Sequence, residues 1–258
     1  MHDTRAIPPL DALYQRHSKH SSYQLVHPLL APLLGRPGDL PAGKLEPQRQ
    51  RFFASQLSYA GARVLDIGAN TGYFSFAAIA GGAAAVQCYE GNADHAEFIR
   101  AGAAALGLTD RLQVQARYFE FQAEPAKRHD IVLCLNVLHH LGDDFGDRSL
   151  AVEPARQRML ACLNGLADAT STLVLQLGFN WKGDVRHPLF DGGEKAAQLA
   201  FVEQGTRGAW SLAAVAVPDP LTREYEPLGP HNRARNDAVG EFMNRPIFVL
   251  RSRRVSKA

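Results

Sequence analysis

Two glycines stand four residues apart in the stretch Asp66-Ile67-Gly68-Ala69-Asn70-Thr71-Gly72-Tyr73, where an apolar run gives way to a helical pattern. A glycine at either point lets a ligand approach the backbone closely. The pattern is not G-x-G-x-x-G, and no Gly-Lys-Ser/Thr follows, so it matches dinucleotide and P-loop phosphate sites poorly. The loop suits a ligand without a phosphate at that point. A plain strand-to-helix turn explains the spacing equally well.

A carboxylate at the end of the next apolar run favours a ligand. Glu90 follows Gly68 by 22 residues and closes the run Cys88-Tyr89-Glu90. In doubly wound sheets, an acid at the tip of the neighbouring strand accepts hydrogen bonds from the hydroxyls of a ribose. The loop and Glu90 together therefore indicate a nucleoside site.

A third group of polar residues follows a central apolar strand, in the segment Asn136-Val137-Leu138-His139-His140. Ligands of open α/β sheets lie beyond the carboxyl ends of the strands, so a substrate would meet a cofactor here. We expect Asn136 to bind the cofactor amine or the substrate. Histidine titrates near neutral pH and is the natural base for a hydroxyl acceptor. We expect a structural role for one of the two histidines, His139 in particular.

The acids after these histidines have two interpretations. Asp143, Asp144 and Asp147 are spaced closely enough to bind a divalent metal, yet no matching acid-asparagine set follows the fifth strand. Capping of the next helix is the simpler interpretation. Cys88, Cys134 and Cys162 contain no C-x-x-C pair, which argues against a zinc site and fits a reducing compartment. The sequence therefore predicts no metal.

Two further segments are candidates for binding the substrate. The loop after the fifth strand contains Trp181, Lys182 and Arg186, which suit a sugar ring or an anionic group; an ordinary surface loop with one anchoring tryptophan fits equally well. The N-terminal residues offer a second wall through the polar side chains of Tyr14, Arg16, His17, Lys19, His20 and Tyr23.

The elements that must position these residues alternate between strand and helix. The patterns predict strands over 63–67, 84–90, 112–116, 131–136, 171–177, 211–217 and 247–251, and helices over 10–16, 47–57, 72–80, 93–106, 153–166 and 194–204. Such alternation predicts an α/β fold, doubly wound around a mostly parallel sheet. Residues 1–60 are rich in proline and predict a helical extension or lid packed on a core domain of residues 61–258.

Composition excludes several other classes of protein. The chain has 258 residues with 46% hydrophobic and 21% charged, which is typical of a soluble globule. The net charge of +2 argues against a dedicated nucleic-acid binder. No signal-peptide pattern and no apolar run of membrane-spanning length occurs, so we expect a cytoplasmic protein.

These motifs together resemble the class I S-adenosylmethionine-dependent methyltransferases over roughly residues 60–255. Asp66 to Gly72 resembles their first motif, Glu90 their ribose-binding acid, and 130–140 their fourth strand with its loop. The resemblance implies a seven-stranded sheet of order 3-2-1-4-5-7-6 with the last strand antiparallel and helices on both faces. It implies that S-adenosyl-L-methionine binds at Asp66, Gly68, Asn70, Gly72, Tyr73, Glu90 and Asn136.

The resemblance also bears on the acceptor. In some small-molecule methyltransferases, a histidine four residues past the strand-end polar residue acts as base, and here that histidine is His140. Many members carry an acid after the third strand for the adenine amino group, but this chain has none before Glu120. Tyr118 or Phe119 could stack on the adenine there, although burial in the core is the commoner fate of an aromatic.

The leading interpretation is O-methylation of a small-molecule or sugar-containing acceptor. The closing segment 240–250 is similar to bacterial methyltransferases of surface-polysaccharide or secondary metabolism. An RNA-modifying methyltransferase and a non-catalytic cofactor-binding protein are the alternatives. The only basic patch is the short tail 251–257, which gives little support to RNA. The oligomeric state is left open.

Overall fold

Strands and helices alternate along the chain. In the computed structural model, which describes residues 9–16, 20–21, 23–34, 43–122 and 128–255, the strands are β1 (Arg63–Ile67), β2 (Ala85–Tyr89), β3 (Leu112–Gln115), β4 (His129–Leu135), β5 (Thr170–Gln176), β6 (Trp210–Pro218), β7 (Tyr225–Pro227) and β8 (Ile247–Ser252). The helices are α1 (Leu10–Tyr14), α2 (Glu46–Gln56), α3 (Tyr73–Ala80), α4 (Ala93–Ala105), α5 (Val152–Leu166) and α6 (Lys195–Thr206). The predicted α/β class is confirmed.

The strands form one sheet in the order β3-β2-β1-β4-β5-β8-β6-β7. The first five in that order are parallel, and β8 runs antiparallel to both β5 and β6. Without β7 this is the expected order 3-2-1-4-5-7-6. The expected count of seven was one too low, because β7 is a three-residue edge strand against β6. Tyr-Glu-Pro is too short to show a strand period.

The sheet has a separate apolar core on each face, as alternation along the strands requires. On β1, Val64 packs into the core beneath α3 and α4, while Leu65 packs into the core beneath α5 and α6. On β4, Ile131 and Val132 divide between the two faces in the same way. Because the central strands are covered on both sides, their polar residues gather at the strand ends.

The described N-terminal residues pack on this core. Two of the polar residues named from the sequence, His17 and Lys19, lie outside the described part of the chain. Helix α1 lies on α4, where the rings of Tyr14 and Phe98 are 5.5 Å apart. Arg16 forms ion pairs with two acids of α4, Asp94 and Glu97. Among the described residues, no helix has the length and apolar character needed to cross a membrane.

Candidate cofactor and acceptor site

A cavity of about 370 Å³ opens at the carboxyl ends of β1, β2 and β4. Its walls combine the loop after β1, the residues after β4, and two segments from elsewhere in the chain. The first provides His20, Tyr23 and Gln24, which precede α2, and the second is the approach to β8, which contributes Arg245. Its volume is that of a small-molecule site.

The first glycine of the loop has no room for a side chain. Gly68 has φ of +73°, and a Cβ atom there would lie 2.6 Å from Cγ2 of Val137. The amides of Gly68 and Ala69 both donate to the carbonyl of Tyr89, at 2.9 and 3.1 Å. The loop is therefore fixed against the tip of β2, and its backbone lines the cavity at Gly68.

The end of the loop, at Gly72 and Tyr73, packs within the protein and does not line the cavity. Gly72 has φ of +83° and precedes the first residue of α3, where a Cβ atom would lie 3.0 Å from Cγ1 of Ile99. The ring of Tyr73 packs edge-on against His27 at 5.1 Å. Neither Gly72 nor Tyr73 lines the cavity, whereas Asp66, Gly68 and Asn70 do.

Glu90 lies at the tip of β2 with both carboxylate oxygens held by backbone amides. Oε2 accepts from the amide of Asn70 and Oε1 from the amide of Asn92, each at 2.7 Å. The side chain is nearly buried, and desolvation raises its pKa to about 7 despite these hydrogen bonds. Each oxygen keeps a second lone pair, so the carboxylate can still accept from two ribose hydroxyls.

Asp66, near the end of β1, is an acid buried beneath the loop. Its Oδ2 accepts a 2.7 Å hydrogen bond from the hydroxyl of Ser75 on α3. Burial raises its pKa to about 6. Asp66 therefore ties the strand to the helix that follows the loop, in addition to lining the cavity.

Asn136, just after β4, is fixed from two sides. Its Nδ2 donates to Oε1 of Gln176 at 2.9 Å, and its Oδ1 accepts from Nη1 of Arg245 at 2.7 Å. The residue has φ of +61°, a conformation that asparagine tolerates better than most residues. Three of the six described non-glycine residues with positive φ line the cavity, namely His20, Asn70 and Asn136.

His139 is buried and accepts a hydrogen bond. The amide of Gly178 donates to its Nδ1 at 3.2 Å, which leaves the proton of the neutral ring on Nε2. Burial, with His140 adding a smaller effect, lowers the pKa of His139 well below its usual range. A ring held neutral by its surroundings and occupied at Nδ1 is suited to a structural role.

His140 faces the cavity beside a carboxylate. Its Nδ1 lies 3.5 Å from Oδ2 of Asp144 and 3.8 Å from Oδ2 of Asp143. Nε2 of His20 lies 3.4 Å from the same Oδ2 of Asp144, and the rings of His20 and His140 meet edge-on at 5.4 Å. The cavity lining therefore includes an imidazole beside a carboxylate.

The expectation that Asp143 and Asp144 cap a helix is wrong. Helix α5 begins at Val152, its N-cap residue is Ala151, and no side chain caps it. The amides of Asp143 and Asp144 instead donate to the carbonyl of His140, at 2.9 and 3.1 Å, in a tight turn. That turn brings the carboxylate of Asp144 back to the imidazole four residues earlier.

The residues expected to bind the substrate after β5 do not line the cavity, although Gly183 of the same loop does. Trp181 is buried and donates from its indole Nε1 to the carbonyl of Leu141 at 2.7 Å. Nζ of Lys182 lies over the indole ring at 4.2 Å. Arg186 is 81% exposed and paired with Asp184. None of the three expected residues lines the cavity, and Trp181 anchors its loop as a structural residue.

Aromatic residues line the cavity near the end of β3. Tyr118 is 46% exposed and nearly parallel to Phe145, with ring centroids 6.3 Å apart. Phe119 is more buried and packs edge-on against Tyr89. Both residues named from the sequence reach the cavity, and Tyr118 offers the more open face.

Several cavity residues carried no recognisable signal in the sequence. Gln24 accepts from the hydroxyl of Thr71 and the amide of Tyr73 through one oxygen, so the segment before α2 is fastened to the loop after β1. Arg245 reaches the cavity from a distant part of the chain. Contacts of this kind depend on tertiary placement and have no local pattern.

Comparison with known proteins gives one curated relative and a shared fold. No protein-family model matches the chain. The ubiquinone biosynthesis O-methyltransferase of Stutzerimonas stutzeri (strain A1501) is 27% identical over 217 residues, which are 79% of this chain and 85% of that protein.

Solved structures of WbdD have a similar fold. One, a co-crystal with the kinase inhibitor LY294002, gives a TM-score of 0.57 at 17% identity and covers 94% of this chain and 47% of that chain. Another, described as a bifunctional kinase-methyltransferase, gives a TM-score of 0.56 at 18% identity and covers 94% of this chain and 46% of that chain. This chain thus spans about half the length of WbdD.

The curated relative extends across most of both chains, and it is a methyltransferase. The sheet order is the one that the motif resemblance implies. At the edge of that sheet, Gly68 has no room for a Cβ atom beside Val137, and the carboxylate of Glu90 is nearly buried. The chain is therefore similar in sequence to an O-methyltransferase and similar in fold to a kinase-methyltransferase, as the motif resemblance implies.

Proposed function

We propose that the chain is an O-methyltransferase for a small-molecule or sugar-containing acceptor. The observation that carries this proposal is the composition of one cavity, which is lined by the loop at Gly68, by Glu90 and by His140. The ubiquinone biosynthesis O-methyltransferase supports oxygen as the methylated atom. The cavity volume of about 370 Å³ supports a compact acceptor.

The cofactor-binding residues that we propose are Asp66, Gly68, Asn70, Glu90 and Asn136, all of which line the cavity. Glu90 would accept from the ribose hydroxyls, and the backbone at Gly68 would lie against the methionine part. When bound, S-adenosylmethionine supplies a sulfonium methyl group, whose C–S bond breaks with the electron pair left on sulfur.

His140 would take the proton of the acceptor hydroxyl as an oxygen lone pair forms the new C–O bond. The ring is 18% exposed, so it can reach an acceptor while neighbouring residues hold it. Much of the remaining rate enhancement comes from holding the acceptor oxygen in line with the methyl group. Tyr23, Asn136 and Arg245 line the cavity and would contribute to this positioning.

A two-stage experiment tests the proposal. Calorimetry with S-adenosylhomocysteine measures cofactor binding for the wild type and for Glu90→Ala. An assay for release of S-adenosylhomocysteine then surveys polyhydroxylated phenols, methyl glycosides and bulk tRNA as acceptors. We expect micromolar binding that Glu90→Ala weakens, with turnover on a phenol or glycoside. Turnover confined to tRNA contradicts the proposed acceptor class, and binding without turnover on any acceptor contradicts catalysis.

A further inference from the structure

Three polar side chains from two distant segments converge at one end of the cavity. His140 and Asp144 belong to the turn after β4, and His20 comes from the segment before α2. A single oxygen, Oδ2 of Asp144, lies 3.4 Å from Nε2 of His20 and 3.5 Å from Nδ1 of His140. The carboxylate therefore stands between two imidazoles.

We propose that Asp144 and His20 are positioning residues for His140. The carboxylate of Asp144 would accept a hydrogen bond from Nδ1–H of His140. The unprotonated Nε2 of that ring would then face the acceptor hydroxyl. This inference rests on the proposed function and specifies how the base is held. Hydrogen bonds of a catalytic site are often long without substrate and shorten when it binds. The distance of 3.5 Å between Nδ1 of His140 and Oδ2 of Asp144 is a few tenths of an ångström longer than an ordinary hydrogen bond, which matches that behaviour.

Asp144 also lowers the energy of the charged state of His140. When Nε2 takes the acceptor proton, the ring becomes an imidazolium, and a carboxylate on its other side stabilises that charge. The side chain of Asp144 is only 13% exposed, so solvent screens the attraction weakly. The other titratable groups that face His140 are Asp143 on its own turn, the neighbouring ring of His139, and His20. The charged side chain of Arg245 also lines the cavity.

His20 is held in place by the loop that contacts the cofactor. Its backbone is in the left-handed region, with φ of +67°, a conformation that is strained for histidine and is often retained at functional sites. Its carbonyl accepts from Nδ2 of Asn70 at 3.3 Å, and the amide of Asn70 donates to Glu90. The ribose-binding acid and the carboxylate beside the base are thereby linked through Asn70 and His20.

The tautomer of His140 tests the proposal without any acceptor. In free histidine the neutral ring prefers its proton on Nε2, whereas a hydrogen bond from Nδ1–H to Asp144 selects the other tautomer. Nitrogen-15 NMR of the imidazoles, recorded without ligand, should show neutral His140 protonated at Nδ1 in the wild type. Asp144→Asn and His20→Ala should return it towards Nε2–H.

Two variants control for unrelated effects. His20→Gln keeps a donor for Asp144 and should retain more of the wild-type tautomer than His20→Ala. His231→Ala removes an exposed imidazole paired with Glu226 at 2.9 Å and should leave the signals of His140 unchanged. His20 is 39% exposed, and Asp144→Asn conserves shape, so both principal variants should fold. Loss of cofactor binding would contradict the proposed function. The tautomer measurement does not depend on cofactor binding, so the two failures can be told apart.

Two results would overturn the inference. The first is a wild-type His140 protonated at Nε2, or a tautomer that His20→Ala and Asp144→Asn leave unchanged. The second concerns metal, because ligand atoms of His20, His140 and Asp144 lie within 4.8 Å of one another. If the untagged, EDTA-treated chain binds one Zn²⁺ that both variants abolish, and turnover requires that ion, the three residues form a cation site instead.

Discussion

Nη1 of Arg245 donates a 2.7 Å hydrogen bond to Oδ1 of Asn136, joining the approach to β8 to the tip of β4. The same guanidinium is paired with Glu241 through Nε and Nη2. Its side chain is only 14% exposed. Arg245 thus orients a proposed cofactor residue from 109 positions away in the chain.

Arg245→Ala should lower the free energy of unfolding by about 2–4 kcal/mol, because it leaves Glu241 and Asn136 without their partner in a poorly solvated place. Arg186→Ala is the matched control, since Arg186 also pairs with an acid but is 81% exposed. It should change stability by less than about 1 kcal/mol. Urea denaturation of both variants makes the comparison, and equal losses would show that burial of the Arg245 pair is unimportant.

Gly68→Ala should reduce both stability and cofactor affinity. The positive φ alone costs about 1 kcal/mol or more for an alanine, and the new Cβ would lie 2.6 Å from Val137. Gly61→Ala separates the two effects, because Gly61 has φ of +71° and nothing within 4 Å of the added atom. Thermal unfolding should rank Gly68→Ala below Gly61→Ala, and calorimetry should show weaker S-adenosylhomocysteine binding only for Gly68→Ala.

The local parts of this site were predictable from the sequence because their causes are local. Gly68 lies where a strand turns sharply into a helix, and Glu90 ends the neighbouring strand. Parallel pairing then brings both to one edge of the sheet. The strand pattern likewise predicted seven of the eight strands, since the central strands are continuous apolar runs.

The parts that were missed depend on long-range contacts. Gln24 and Arg245 reach the cavity from segments without a secondary-structure pattern of their own. Trp181 was expected to hold a substrate because it lies after β5, yet its indole donates to Leu141 and packs into the core. Position along the chain indicated the correct edge of the sheet but not the direction of the side chain.

Cofactor affinity should weaken as the pH falls through 7. Burial raises the pKa of Glu90 to about 7, and only the ionised carboxylate accepts hydrogen bonds through both oxygens. S-adenosylhomocysteine should therefore bind the wild type more tightly at pH 8 than at pH 6. Glu90→Gln should bind it about 10- to 100-fold less tightly at pH 8 and with little change between the two pH values. A pH dependence preserved in Glu90→Gln would assign the titration to another group.

Asp66 should make the fold less stable as the pH rises. Its pKa is raised by burial from 3.8 to about 6 in the folded protein, so its favourable contribution is complete below about pH 3.8 and is lost as the pH rises through 6. Asp66→Asn removes this titration and keeps an oxygen for Ser75. Between pH 4 and pH 8 the stability of the variant relative to the wild type should rise by on the order of 3 kcal/mol. Denaturant unfolding at both pH values measures it, and a constant difference would contradict the raised pKa.

Removal of each adjacent histidine should affect different properties. His140→Ala takes away the proposed base, and general-base catalysis typically contributes 10²–10⁴-fold. On a hydroxyl acceptor found in the survey, kcat should fall by about that factor, or about 3–5 kcal/mol in the barrier. The affinity for S-adenosylhomocysteine should change less than about twofold, since Glu90 and the loop at Gly68 provide the proposed cofactor contacts.

His139→Ala should instead destabilise the fold, because its ring accepts from the amide of Gly178 and is buried. Loss of that partner leaves a buried amide unsatisfied and a cavity beside it, a cost of about 2–4 kcal/mol. At a temperature where both variants are folded, His139→Ala should retain much more of the wild-type kcat than His140→Ala. If His140→Ala is nearly as active as the wild type on a hydroxyl acceptor, His140 is not the base. An acceptor amine with its own lone pair would then be the better interpretation, because such a nucleophile needs no strong base.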